Sequence, residues 1–256
     1  MTTALKLPSW AQQDTDLTGK TVLVIGGAGG VGEGITRTAL QLGAEVIVTS
    51  RSEARLEDLV ARAAHPNLRT RTLDMTGDDL AEAVSAIVEE HGRLDGIAIA
   101  AADWSRGGGT RILDLTEADW DAVIAQNQTS IFRAYRALIP ALARGGVFVH
   151  INGFSAEIPY PPHGVGAVAA AATKSLTRTL AEEMRGDELR VYELILGVIR
   201  TRPRQLAGID NEAWIPAAEV GTHIAELVAG NSPLADSALQ YFVTRDAGPS
   251  RTAPQV

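Results

Sequence analysis

The sequence predicts a single α/β domain built on a doubly wound, parallel, seven-stranded sheet with helices on both faces. Two observations carry this expectation. Short apolar runs alternate with amphipathic stretches from Thr21 to Val243, and the first run feeds a glycine cluster that opens a helix. That run, Val22-Leu23-Val24-Ile25, leads into Gly26-Gly27-Ala28-Gly29-Gly30-Val31-Gly32-Glu33-Gly34. Glycine admits positive φ and lets backbone approach phosphate oxygens, while the helix N-terminus that follows offers unpaired N–H groups and partial positive charge. Such a loop suits a dinucleotide pyrophosphate. Its spacing is ambiguous, because Gly27, Gly29 and Gly32 satisfy G-x-G-x-x-G while Gly26, Gly30 and Gly32 satisfy G-x-x-x-G-x-G.

The elements follow in order. Residues 1–16 are a polar lead-in, and 17–256 form one domain with no linker to divide it. Asp16-Leu17-Thr18-Gly19-Lys20 turns into a first strand over 21–25; a helix spans about Val31 to Leu42 and a second strand 45–49. Helical patterns cover 53–64 and 79–91, with a third strand at 70–73 between them and a fourth, small and apolar, at 96–100. Thr116-Glu117-Ala118-Asp119 supplies an N-cap and first-turn acids for a long helix expected to reach Ala143. A fifth strand occupies 147–151, and Pro159, Pro161 and Pro162 make 152–164 a loop. An alanine-rich helix over 165–184, a sixth strand over 190–196, a helix over 217–228 and a last strand over 239–243 complete the chain. Right-handed crossovers between parallel strands then place the ligand at the C-terminal strand edge.

Composition narrows the function classes. A net charge of −8 with no basic stripe argues for solubility and against a nucleic-acid surface, and the expected partner is a small-molecule substrate with no polymer. With no cysteine, thiolate chemistry and disulfides are excluded, which suits a cytoplasmic setting. No segment has the length and apolarity of a membrane span, and no His/Asp/Glu set shows metal-ligand spacing. Asp103 and Trp104 follow the fourth strand and should face the cleft, as a helix cap and a packing indole or as site residues; His150, inside the fifth strand, is expected to make a structural hydrogen bond.

Several markers in this order resemble the short-chain dehydrogenase/reductase (SDR) family, and the likeness runs from Leu17 to about Val243. Gly26, Gly30 and Gly32, with Val31 between them, match the cofactor loop. Asp74, followed by Met75, matches the residue that receives the adenine amino group. Ala100 and Ala101 end the fourth strand where the family has Asn-Asn-Ala-Gly, and Asn127 falls at the mid-helix active-site asparagine. Lys174 matches the lysine that holds the nicotinamide ribose, and Gly197, Ile199 and Thr201 fall in the segment that contacts the carboxamide. The resemblance implies a Rossmann-like fold and a homodimer or homotetramer formed through the helices at about 117–143 and 165–184. An acid ending the second strand would bind both ribose hydroxyls and repel a 2′-phosphate; this chain has Ser50-Arg51, which favours NADP(H) over NAD(H).

The match breaks at the reaction centre. The family tyrosine, four residues before the lysine, is Ala170, and the serine position after the fifth strand is Gly153. If Gly153 marks that position, the following loop is about four residues longer than the family norm. It carries three substitutes: Ser155 to polarise a carbonyl, and Tyr160 or His163 to move a proton, with Lys174 near Tyr160. A positioned acid or base contributes about 10²- to 10⁴-fold, so alanine in place of tyrosine demands another proton source or another reaction. Three readings follow. The chain is an NADP(H)-dependent oxidoreductase acting on a carbonyl, imine or enone through a rebuilt proton-donor site; or a non-redox lyase, isomerase or cyclase; or a silent nucleotide-binding subunit.

Overall fold

The computed structural model describes residues 7–101, 108–161 and 163–255; Asp103 and Trp104 lie outside them. Chain order runs β1 (Thr21–Ile25), α1 (Gly30–Gln41), β2 (Glu45–Ser50), α2 (Glu53–Ala63), β3 (Leu68–Thr72), α3 (Leu80–His91), β4 (Leu94–Ile99), α4 (Glu117–Ile124), α5 (Ser130–Leu138), β5 (Leu142–Gly153) and α6 (Gly164–Glu183). It continues with β6 (Arg190–Leu196), β7 (Ile199–Arg200), α7 (Arg202–Leu206), β8 (Ile215–Pro216), α8 (Ala217–Ala229) and β9 (Leu239–Phe242). The main sheet has seven strands in the order β3-β2-β1-β4-β5-β6-β9, every neighbouring pair parallel.

Alternation along the strands builds two cores. Val22 and Val24 of β1 face a core shared with α1, α2 and α8, whereas Leu23 and Ile25 face one shared with α3, α5 and α6. Sheet order reverses between β1 and β4, so the crevice at the ends of these two strands is the topological switch point. The edge strand β3 carries Arg69 and Arg71, charges that discourage edge pairing, and β9 is bridged antiparallel by Ser250 at Tyr241.

Several elements differ from expectation. The helix starting at Glu117 ends at Leu138, since Pro140 turns the chain through a short 3-10 segment, 139–141, straight into β5. β5 therefore begins five residues earlier than its apolar run. β3 sits two residues before its expected start because its register is fixed by β2, with Val46 opposite Leu68. β7 and β8, two residues each, pair with one another outside the main sheet and are too short to leave a periodic signal.

The lead-in from residue 7 packs on the domain. Trp10 meets Phe242 edge-on at 5.6 Å, and the Gln12 N–H donates to Glu226 Oε1 at 2.8 Å. Glu226 is 1 % exposed, and burial pushes its pKa from the ordinary 4.5 up to about 7, although the Gln12 N–H favours the charged form. The folded chain thus holds this proton more tightly than the unfolded one. Its contribution is most favourable below pH 4.5 and is lost as pH rises through 7, by on the order of 3 kcal/mol. Urea unfolding should show that loss between about pH 5 and about pH 8, and Glu226→Gln should remove most of the slope.

Candidate active site

The glycine loop resolves its own ambiguity. Gly26 has φ +77 and Gly30 φ +56, whereas Gly29 is extended at φ −171. Positive φ at 26 and 30 selects the Gly26-x-x-x-Gly30-x-Gly32 spacing. A Cβ on Gly26 would lie 3.0 Å from Ala100 O and 3.1 Å from Ala101 Cβ, and one on Gly32 would collide with Gly26 O. Around Gly29 and Gly30 the space is open, with nothing within 4 Å of an added Cβ. Gly29 caps α1 without a side-chain bond, so the first-turn N–H groups of Gly30, Val31 and Gly32 have no earlier helical carbonyl to serve. The arrangement fits a pyrophosphate: backbone donors, a helix dipole and room. Glu33 in the same turn would oppose an anion, but it pairs with Arg37 (2.9 Å) and Arg62. Burial works to raise its pKa; the two arginines outweigh that and hold the carboxyl below its ordinary range.

Ser50, Arg51, Asp74 and Met75 stand at the ends of β2 and β3, on the same sheet edge. Arg51 is exposed; Ser50 Oγ accepts the Ser52 N–H at 3.1 Å, and Ser52 caps α2. Asp74 Oδ1 accepts from the Thr76 N–H (2.9 Å) and hydroxyl (2.8 Å), which fixes the turn after β3. Met75 packs on the core behind it. The Ala100 N–H donates to Ile25 O at 2.9 Å, tying the end of β4 to the glycine loop.

On the other side of the switch point, Asn127 sits in a π-helical turn, 125–129, between α4 and α5, with Nδ2 donating to Val123 O at 3.2 Å. Such turns open the helical ladder and are frequent at functional sites. Gly153 ends β5, and Ser155 is the middle residue of a 3-10 turn, Phe154–Ala156. Ser155 Oγ lies 3.5 Å from where a Cβ on Gly153 would stand. Tyr160 is exposed and stacks on His163 with ring centroids 5.6 Å apart. Gly197 packs on the Val243 backbone, Ile199 is buried in β7, and Thr201 is the N-cap residue of α7.

Lys174 lies on α6, four residues beyond Ala170. Its Nζ donates to Glu157 Oε1 at 2.9 Å and to Ala156 O at 3.4 Å, and the tyrosine that shares Glu157 is Tyr241, not Tyr160. Ala170 is buried with Ala156, Ile195 and Tyr241. Behind Gly153, Asn152 Nδ2 donates to Ala170 O (2.8 Å), Thr173 Oγ1 (3.3 Å) and Glu193 Oε1 (2.7 Å), and its Oδ1 accepts the Gly153 N–H (2.8 Å). His150 Nδ1 lies 2.7 Å from Glu193 Oε2. Glu193 left a signal in the sequence, a lone acid within an apolar strand that needs buried partners. Glu157 and Tyr241 left none. Among the described residues, no group of three or more His, Asp or Glu is placed to hold a metal, and no helix is long and apolar enough to cross a membrane.

Fold and loop together define a doubly wound α/β protein with a helix-N-terminal anion cradle at its switch point. Residues 26–238 match the family model described as Enoyl-(Acyl carrier protein) reductase. The chain is 31% identical over 195 residues to Dehydrogenase/reductase SDR family member 4 of Bos taurus, covering 72% of this chain and 67% of that protein. It is 30% identical over 190 residues to 3-oxoacyl-(acyl-carrier-protein) reductase FabG of Thermotoga maritima, covering 72% and 76%. Among solved structures, a short-chain dehydrogenase/reductase from Serratia marcescens superposes with a TM-score of 0.75 at 25% identity, covering 89% of this chain and 97% of that one. A short-chain dehydrogenase from Shigella flexneri complexed with NADP gives 0.76 at 22% identity, covering 90% and 98%. The chain belongs to the short-chain dehydrogenase/reductase family.

Two alanine substitutions separate the loop's packing from its opening. Gly32→Ala should lower stability by about 3 kcal/mol, because its methyl group meets backbone rather than a movable side chain. Gly29→Ala should cost within about 1 kcal/mol, its methyl group standing in the open space. Thermal unfolding of both variants checks the contrast.

Proposed function

We propose that the chain is an NADP(H)-dependent oxidoreductase of a small carbonyl, imine or enone, with a proton route that does not pass through position 170. The carrying observation is the open, positive-φ cradle at Gly26 to Gly32 above the N-terminus of α1. Family membership and the oxidoreductase names of its relatives support the reading. NADP(H), when bound, supplies or accepts a hydride.

This chain's residues do the rest. The N–H groups of Gly30, Val31 and Gly32 hold the pyrophosphate, Arg51 pairs with the 2′-phosphate, and Asp74 with Met75 flanks the adenine. Ala100, Ala101, Gly197, Ile199 and Thr201 border the nicotinamide half, with Asn127 across from them on its π turn. Ser155 polarises the substrate oxygen or nitrogen. Ala170 has no proton to give, which favours an imine that arrives protonated or a conjugated double bond. Tyr160 and His163, stacked on the same loop, are the hydroxyl and imidazole that this reading assigns to the proton route.

A second reading has one observation in its favour. With Lys174 engaged by Glu157 and alanine at 170, the chain would keep the nucleotide as a structural part of a lyase, isomerase or cyclase, or as a silent subunit. Exposed Trp120, Phe132 and Val168 on α4, α5 and α6 support assembly through these helices as a homodimer or homotetramer, which light scattering tests. A cytoplasmic setting suits a chain without cysteine.

Loss of NADPH absorbance across ketones, imines and enones tests the redox reading; product formed without NADPH supports the second. Arg51→Ala should weaken NADPH about 10- to 100-fold and leave NADH unchanged, the loss expected for a charge-assisted contact. Ser155→Ala should lower turnover about 100-fold.

A further inference from the structure

One carboxylate oxygen ties three elements together beside Ser155. Glu157 Oε1 accepts from Lys174 Nζ on α6 (2.9 Å) and from the Tyr241 hydroxyl on β9 (3.0 Å). Lys174 Nζ also donates to Ala156 O, the last residue of the 3-10 turn that carries Ser155. The Lys174 and Glu157 side chains are each 19% exposed, and Tyr241 is 6 % exposed. Burial, together with the bond to Glu157 and its charge, pushes Tyr241 up to about 12, so this phenol remains a donor to the carboxylate at all physiological pH values. The turn is thus held from two sides, by the helix and by the edge strand.

The helical register bears on what Lys174 does. The turn of α6 that abuts the end of β5 is the one carrying Ala170, whose carbonyl accepts from Asn152 next to Gly153. Lys174 lies four residues, just over a turn, further along the helix, about 6 Å on. Placing it at the ribose requires a loop after Gly153 about one helical turn longer than the family norm.

We propose that Lys174, Glu157 and Tyr241 form a clamp that positions the Ser155 hydroxyl, and that Lys174 is a positioning residue rather than a ribose ligand. This rests on Ser155 acting on the substrate, as argued above. The clamp replaces what a serine at position 153 would have by being part of the strand, namely a fixed place. Ser155 sits beyond the last ladder pair, Gly153 with Leu196, so its turn needs bonds from outside the sheet.

The test uses the full chain and NADPH as the probe. Tyr241→Phe and Glu157→Gln, both nearly isosteric, should raise hydrogen exchange over residues 153–158 about tenfold while NADPH affinity stays within about twofold. Lys174→Met should do the same, and Lys174→Arg should restore the protection. With the carbonyl, imine or enone that turns over, Tyr241→Phe should lower kcat without raising the KM for NADPH, and should have no further effect in a Ser155→Ala background. Loss of NADPH affinity of tenfold or more in Lys174→Met, with exchange over 153–158 unchanged, overturns the clamp and returns Lys174 to the cofactor. An equal kcat loss from Tyr241→Phe in the Ser155→Ala background also overturns it. If no compound turns over, the redox reading fails, and the exchange and affinity measurements still decide the clamp.

Discussion

Everything at the switch point depends on how closely backbone approaches backbone around β1 and α1. Gly32 lies against Gly26 O, Gly26 against Ala100 O, and Gly34 against Ala217 at the start of α8. No side chain fits at these contacts. α1 is thereby drawn tightly under the loop and against α8, where Gly221 in turn meets Thr38 Oγ1 at 2.7 Å of an added Cβ. That close packing aims the N-terminus of α1 at open space instead of at protein. The anion cradle is a consequence of packing as much as of any side chain's chemistry, and its donors are main-chain groups that substitution elsewhere does not remove.

The reaction side is held by a different kind of interaction. Glu193 is fully buried between His150 and Asn152 on the neighbouring strand, and Asn152 passes the constraint to Gly153 and to the Ala170 turn of α6. Tyr135 lies against His150 and bonds Thr177 at 2.6 Å, which extends the network along α6. Burial and the Glu193 charge hold the Tyr135 phenol well above its ordinary range, so it remains a neutral hydroxyl. Every polar group in such a network has to be satisfied, because an unpaired buried group loses its full hydration without return. A satisfied network fixes geometry, and here it fixes the junction of β5 and α6.

Much of this was legible in the sequence, and the limits have physical causes. β1, β2, β6 and α8 lay within a residue or two of their expected bounds because buried parallel strands and amphipathic helices leave strong periods. Pro140 was the visible stop that the long apolar helix pattern overran. The roles of the glycines were undecided until φ at 26 and 30 was known, since two spacings share Gly32. Glu157 and Tyr241 were beyond reach: they are 84 positions apart and meet only because β9 pairs with β6 at the far edge of the sheet. The place of Ser155 depended on a turn whose register no pattern in residues 152–164 sets.

The two halves of the site also differ in how they tolerate change. A phosphate cradle made of N–H groups and glycine survives as long as the packing around β1 and α1 survives. A proton-transfer centre made of side chains is altered by single substitutions, each worth about 10²- to 10⁴-fold when it removes a positioned acid or base. In this chain the glycines of the loop are held by that packing, while positions 153 and 170 hold glycine and alanine. Ser155, Glu157 and the stacked pair of Tyr160 and His163 all lie in the segment from Gly153 to His163, where a single substitution removes a side-chain group and leaves the main-chain donors of the glycine loop untouched.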